Sequence, residues 1–364
     1  MERRKFLKGA ALAGTGVAAA STLAAPAVAQ ASKDMVIVST WPRDFPGLGL
    51  PAQRLAARIG ELTEGRLNVQ YFAAGERVGA FDSFDEVASG NAQAYIAADY
   101  YWKGKHPGWA AFTAIPFGFT YTEMDAWIKY AGGQELWDEI AGEFGLKNFA
   151  CGNTGVQMGG WFNKEIESAD DLKGLKMRIP GLGGDVMSKL GASPVSLPGG
   201  QIYENLVSGA IDATEWVGPY NDFFMKFYEA AKYYYFPGMH EPGAQIAFGM
   251  NSEFWGSLSK TDQAIIQAAC NEENARTMAE TNAFNGEYLN RLINDHGVEL
   301  REFNEDVYDS FGEAAAEVLE EARDHSALSK KIYDSVTEKR AEIGKWSALS
   351  DVSYTQKRNR VLGL

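Results

Sequence analysis

Two polar residues sit where an extended segment runs into a turn, and each needs a chemical reason to be there. Arg178 closes the segment Leu175-Lys-Met-Arg-Ile-Pro-Gly. Period-2 alternation puts Leu175, Met177 and Ile179 on one face and Lys176 and Arg178 on the other. At such a strand end a guanidinium can hold a carboxylate through two parallel charge-assisted bonds, worth about 1.5–3 kcal/mol each. The competing assignments are a surface arginine or one paired with a carboxylate of the protein itself. Glu215 ends the apolar segment Gly209-Ala-Ile-Asp-Ala-Thr-Glu-Trp, where burying its charge is costly without a positive companion. One candidate companion is a hard cation, bound by Glu215, the amide oxygen of Gln157, a main-chain carbonyl near Trp216 and oxygens of an anionic ligand. The other is Arg178, in a simple ion pair. With one protein carboxylate in the set, sodium or a calcium completed by the ligand is the expected ion. Aromatic residues near strand ends, among them Trp41, Tyr100, Tyr101, Trp109, Trp161, Trp216 and Tyr220, are candidates to wall a small pocket, although such density also fits a core.

Enzymatic chemistry has little to build on. His106, His240, His296 and His325 are far apart, with no His-x-x-x-His or Cys-x-x-Cys spacing for zinc, and no nucleophile elbow or phosphate-binding Lys-Ser/Thr loop occurs. The alternative kept open is a hydrolase or isomerase using Glu215 as base. Gly47-Leu-Gly-Leu-Pro-Ala mimics a dinucleotide fingerprint, but Pro51 occupies the turn and the second strand ends in Gln70-Tyr-Phe-Ala without an acidic residue for a ribose. It reads as a tight βα turn. A net charge of −14 with no basic stripe excludes nucleic acid as a partner.

The elements that must position these residues follow from periodicity. A strand at Met35–Ser39, a helix over 50–63, a strand at Leu67–Phe72, a helix near 83–89 and a strand at 92–97 make a β-α-β-α-β opening, hence an α/β sheet. A second α/β pattern runs from Phe149 through Met158-Gly-Gly-Trp-Phe and the Arg178 and Glu215 segments to Gln245-Ile-Ala-Phe-Gly-Met. The middle of the chain therefore reads as an inserted domain. Beyond it come a long helix over 261–294, a short strand at 298–303 and amphipathic helices over 306–325 and 327–343. The 364 residues suffice for two domains. The expected division is residues 30–155 plus 246–290, residues 156–245, and C-terminal helices over 291–364 that brace the two lobes. Ahead of them, Arg3-Arg4-Lys5-Phe6-Leu7-Lys8, a Gly/Ala-rich run and Ala27-Val28-Ala29 make residues 1–29 a twin-arginine export signal and the mature protein periplasmic. Cys151 and Cys270 read as buried thiols, a bridge between them being the alternative.

Four blocks together resemble the solute-binding proteins of tripartite ATP-independent periplasmic (TRAP) transporters, of the DctP type. They are Gly152-Asn-Thr-Gly-Val-Gln-Met-Gly-Gly-Trp-Phe, Asp171-Leu-Lys-Gly-Leu-Lys-Met-Arg-Ile-Pro-Gly, Gly209-Ala-Ile-Asp-Ala-Thr-Glu-Trp-Val-Gly-Pro-Tyr and Tyr233-Tyr-Tyr-Phe-Pro-Gly-Met-His-Glu-Pro-Gly. The nearest branch binds 2-oxoacids such as pyruvate, or lactate with a metal ion. The resemblance implies a two-lobed periplasmic binding protein fold closing on its ligand, with no catalysis. It matches Arg178 to the arginine that pairs with the substrate carboxylate, and Gln157, Glu215 and the Trp216 main chain to the cation ligands, sodium or calcium. Asn153, Gln157, Tyr100, Tyr101 and Trp216 complete the expected ligand contacts. Trp216, where many members carry Asn, points away from sialic acid and C4-dicarboxylates. The implied partners are a small monocarboxylate, the TRAP membrane subunits and, through an exchanged C-terminal helix, a second copy in a homodimer.

Overall fold

The computed structural model describes residues 32–364, so the export signal expected over residues 1–29 lies outside the described residues. In chain order the strands are β1 (Lys33–Ser39), β2 (Leu67–Phe72), β3 (Ala94–Ala97), β4 (Leu146–Asn153), β5 (Gly160–Phe162), β6 (Lys176–Arg178), β7 (Ser193–Val195), β8 (Ala213–Thr214), β9 (Tyr233–Phe236), β10 (Gln245–Asn251) and β11 (Glu299–Glu302). They form two sheets, ordered β2-β1-β3-β10-β4 and β11-β9-β5-β8-β6-β7. In the first, β1 runs parallel to β2 and β3, while β10 returns antiparallel between β3 and β4. In the second, β5 alone opposes its neighbours β8 and β9. The carboxyl ends of β1, β3 and β4 therefore share one end of the first sheet. Those of β6, β8 and β9 share one end of the second. Open α/β sheets place ligand contacts at such ends.

The opening elements form as their periodicity dictates. The helix Gly49–Leu62 carries Pro51 in its first turn, where a missing N–H costs nothing, and buries Leu55, Ala56 and Ile59 on one face. Helices Tyr121–Tyr130 and Gly133–Glu143, which the sequence reading passed over, fill the interval between β3 and β4. The strand expected over 209–216 shrinks to Ala213–Thr214, because its first residues belong to the turn that ends the preceding helix, where Gly209 N donates to Leu206 O (3.2 Å).

Three connections cross between the sheets: residues 154–159, residues 237–244, and the helix Lys260–His296 with the short helix Ser252–Ser257 before it. The first two lie side by side. Thr154 N donates to Ala244 O (3.1 Å), Gln157 N to Glu241 O (3.1 Å) and Gly238 N to Gln157 O (3.0 Å). A Cβ at position 238 would stand 2.7 Å from Met158 O and 2.8 Å from Gln157 O, so only glycine allows this approach. The long helix has 37 residues and spans about 55 Å at 1.5 Å per residue. It packs on β4 and the helix Gly49–Leu62 beside the first sheet and on the helix Pro219–Met225 beside the second. β11 follows it and pairs parallel to β9. The short strand expected over 298–303 is thus present as β11 and joins the second sheet.

Helices Glu305–Arg323 and Ala327–Ser347 follow, and the latter continues through a π turn at Ala348–Val352 into Ser353–Leu362. Its first half is anchored by buried Ile332, Tyr333 and Val336 and by Tyr333 donating to Pro107 O (2.9 Å). Its second half exposes Trp346, Leu349, Tyr354, Val361 and Leu362. Cys151 and Cys270 are free and buried, and burial raises both thiol pKa values. No described helix is long and apolar enough to cross a membrane.

Candidate functional site

Four strand ends, those of β3, β6, β8 and β9, deliver a cluster of ionisable groups into one place, and β4 leads to two amides beside it. Arg178, the last residue of β6, is 1% exposed. Its Nε donates to Leu197 O (3.1 Å) and its Nη1 donates to Glu215 O (3.3 Å) and to the Glu215 carboxylate. The guanidinium carbon lies 5.2 Å from the centre of the Trp216 ring. Burial is the largest single influence and works against its charge, but Glu215, Tyr101, Tyr100 and Glu241 together outweigh it and raise its pKa. Glu215 follows β8 and is fully buried, and its second oxygen faces His240 Nε2 at 3.3 Å. Both partners foreseen for Arg178 and Glu215 within the protein are therefore each other.

The sequence reading missed two members. His240 and Glu241 lie on the crossing that follows β9, both buried, and one ligating atom each of Glu215, His240 and Glu241 fall within 4.8 Å of one another. For His240, burial disfavours the imidazolium, but the Glu215 hydrogen bond and the nearby carboxylates win and its pKa is raised. Glu241 is pushed up to about 8, first by burial and then by the charge of Glu215. Its Oε2 accepts from Gln157 Nε2 (2.7 Å), the residue opposite it in the paired crossings. The donor set thus has two carboxylates rather than the one expected.

Tyr100 and Tyr101 enter from the other sheet, on the turn Asp99–Trp102 after β3, with their rings edge to face at 4.9 Å. Burial is the largest influence raising both phenol pKa values, and the charges of Arg178, Glu215 and Glu241 act on each. Asn153 stands one step back. Its Oδ1 accepts from Gly155 N (2.9 Å) and its Nδ2 donates to Gly243 O (3.2 Å) and Gln245 Oε1 (3.4 Å), which ties the two crossings together where they leave β4 and meet β10. Of the other aromatics, Trp109 and Trp161 are fully buried in the core.

Several polar atoms in this cluster are buried with no partner: Arg178 Nη2, Gln157 Oε1, Glu241 Oε1 and Trp216 Nε1. Each such orphan costs about 1–3 kcal/mol unless something meets it. One guanidinium donor suits an anion. The oxygens of Gln157 and Glu241, close to Glu215, suit a hard cation.

The sequence pattern of bacterial extracellular solute-binding protein family 7, DctP, matches residues 38–325. The chain belongs to the DctP family. The chain is 38% identical, over 97% of its length and 98% of the other, to a monocarboxylate 2-oxoacid-binding periplasmic protein of Nostoc sp.. It superimposes with a TM-score of 0.89 and 33% identity on a TRAP transporter solute-binding protein of Bordetella bronchiseptica, covering 91% of this chain and 98% of that one. That protein was crystallised as a mixed-occupancy dimer with copurified calcium and picolinate in its active site. A TRAP periplasmic solute-binding protein of Pseudoalteromonas atlantica with bound sodium and pyruvate matches with a TM-score of 0.86 and 37% identity, over 89% and 99% of the two chains. DctP proteins bind solutes rather than transform them, so the alternative of Glu215 as a catalytic base falls away.

Proposed function

We propose that this protein captures a small monocarboxylate in the periplasm, a 2-oxoacid such as pyruvate or the related lactate, together with sodium or calcium, and delivers it to TRAP membrane subunits. The carrying observation is the buried, unpartnered Arg178 Nη2 beside the unpartnered oxygens of Gln157 and Glu241. Glu215 and Leu197 O hold the guanidinium in place through Nε and Nη1, which leaves Nη2 for the ligand carboxylate. Gln157 Oε1, Glu215, Glu241 and the Trp216 main-chain carbonyl would hold the cation. The bound ion supplies the positive charge that lets two carboxylates and an anionic ligand share one dry enclosure. Tyr100 and Tyr101 offer hydroxyls from the opposite sheet, and Trp216 walls the guanidinium.

The working division is lobe I, residues 30–155 and 246–290, and lobe II, residues 156–245 with β11 added. Ligand and cation bind the closed arrangement better than the open one, and that difference shifts the population toward the form the membrane subunits read. Micromolar affinity corresponds to about −8 kcal/mol, within reach of one arginine clamp, a cation and a desolvated pocket. The exposed apolar residues of the terminal helix, Trp346, Leu349, Tyr354 and Val361, fit a homodimer in which that helix packs on a second copy. The paired arginines near the N-terminus fit export through the twin-arginine route.

The test is thermal unfolding of the mature protein with pyruvate, lactate and longer 2-oxoacids, with and without sodium or calcium chloride. Ligand at 100 times its Kd should raise the midpoint by about 5 °C, with the ligand recovered unchanged. Consumption of the ligand, or no shift with any of these acids, contradicts the proposal.

A further inference from the structure

Asp222 is 1% exposed, and four donors converge on its carboxylate. Trp161 Nε1 (2.9 Å) and the Tyr234 hydroxyl (2.8 Å) donate to Oδ2. The main-chain N–H groups of Val217 and Gly218 donate to Oδ1, at 3.1 Å each. Trp161 and Tyr234 face each other across β5 and β9, with their rings stacked at 4.0 Å. One oxygen is therefore fastened to the middle of the sheet and the other to the loop that follows Trp216.

The peptide between Trp216 and Val217 is the consequential one. It is trans and planar, so its C=O and N–H point in opposite directions. Holding the Val217 N–H turns the Trp216 carbonyl away from Asp222. Among the described residues no hydrogen-bond donor reaches that carbonyl. Met158 N donates to Val217 O (3.0 Å) and fixes the next peptide against the crossing that carries Gln157. A buried carboxylate in so apolar a neighbourhood is costly to keep for packing alone.

We propose that Asp222 is a positioning residue that aims the Trp216 carbonyl at the cation. The assignment rests on the reading of that carbonyl as a cation ligand. It is tested by calorimetric titration of pyruvate at increasing calcium chloride, reading the calcium concentration for half-maximal affinity. Asp222→Ala should raise that concentration at least tenfold. Asp222→Asn keeps an Oδ1 acceptor and should stay within threefold of the wild type. Tyr234→Phe removes a donor to Oδ2 only and should also stay within threefold, although it too lowers stability. Near-UV circular dichroism confirms that each variant is folded, and Asp222→Ser carries the same expectation as alanine if alanine does not purify folded. A folded Asp222→Ala or Asp222→Ser protein with the wild-type calcium requirement overturns the assignment, as does a Tyr234→Phe protein shifted as far as Asp222→Ala. A wild type that binds pyruvate with no cation requirement overturns the underlying reading and this assignment with it.

Discussion

The two sheets approach the site with similar anchors and different cargo. Asp99, beside the first sheet, accepts from Tyr95 Oη (2.9 Å), Trp137 Nε1 (2.9 Å) and Asn148 Nδ2 (2.9 Å), and the next residues in the chain are Tyr100 and Tyr101. Asp222, beside the second, accepts from one tryptophan, one tyrosine and two backbone amides. Asp99 is gripped by side chains alone and braces scaffold. Asp222 grips main chain and braces the loop next to Glu215. The cargo differs more. The second sheet brings Arg178, Glu215 and, past β9, His240 and Glu241, whereas the first brings phenols. Charged groups are thus concentrated on one side, and the other side meets them with phenols that stay neutral at physiological pH. An open protein on this plan would present its guanidinium and carboxylates ready-made, and closure would add desolvation rather than new charges.

Several substitutions break or sharpen that contrast. The largest effect belongs to the charged side. Arg178→Ala should reduce pyruvate affinity at least 100-fold by calorimetry. Because it strands a buried Glu215, it should also cost about 3–5 kcal/mol of stability, so Arg178→Lys serves as the milder probe, with a loss of about tenfold or more. Next comes Glu241→Gln. It removes a carboxylate from the cation set and should raise the half-saturating calcium concentration roughly tenfold, more than it alters sodium dependence, because calcium relies more on ligand charge.

The two anchors share a pH dependence, since burial also pushes Asp222 up to about 7. Burial pushes the Asp99 carboxyl up to about 7, against the hydrogen bonds from Trp137, Tyr95 and Asn148. A folded value above the unfolded one means that its contribution to stability is fully present below about pH 4 and is lost as pH rises through about 7. Urea unfolding at pH 5 and pH 8 should therefore show a smaller fall in stability for Asp99→Asn than for the wild type. An equal or larger fall would remove Asp99 from the account. The smallest effect is expected on the phenol side: Tyr101→Phe should weaken pyruvate binding about three- to tenfold. A loss as large as that of Arg178→Ala would reverse the contrast between the two sheets.

Legibility in the sequence followed the same divide between local and long-range causes. Arg178 and Glu215 were readable because each puts a charge at the end of an apolar run, and β1, β2, β6 and the long helix were readable from period alone. His240 and Glu241 were not. They lie in Gly-Met-His-Glu-Pro-Gly, which has no period, and His240 meets Glu215, 25 positions away, only because β8 and β9 flank β5 in one sheet and end on the same side. Asp222 was hidden for the same reason, its tryptophan partner lying 61 residues away. The strand before Glu215 came out shorter than its composition suggested, since neighbours on β5 and β6 pair with only two of its residues.

The central claim is that one buried guanidinium and an oxygen-coordinated ion hold the same organic anion. A crystal structure of the mature protein grown with pyruvate and calcium, with anomalous data for the ion, tests it most directly. The account predicts the pyruvate carboxylate on Arg178 Nη2 and the ion on oxygens of Gln157, Glu215, Glu241 and the Trp216 main chain. Pyruvate bound elsewhere, or at this site with no ion and with Arg178 engaged only by Glu215, would contradict it.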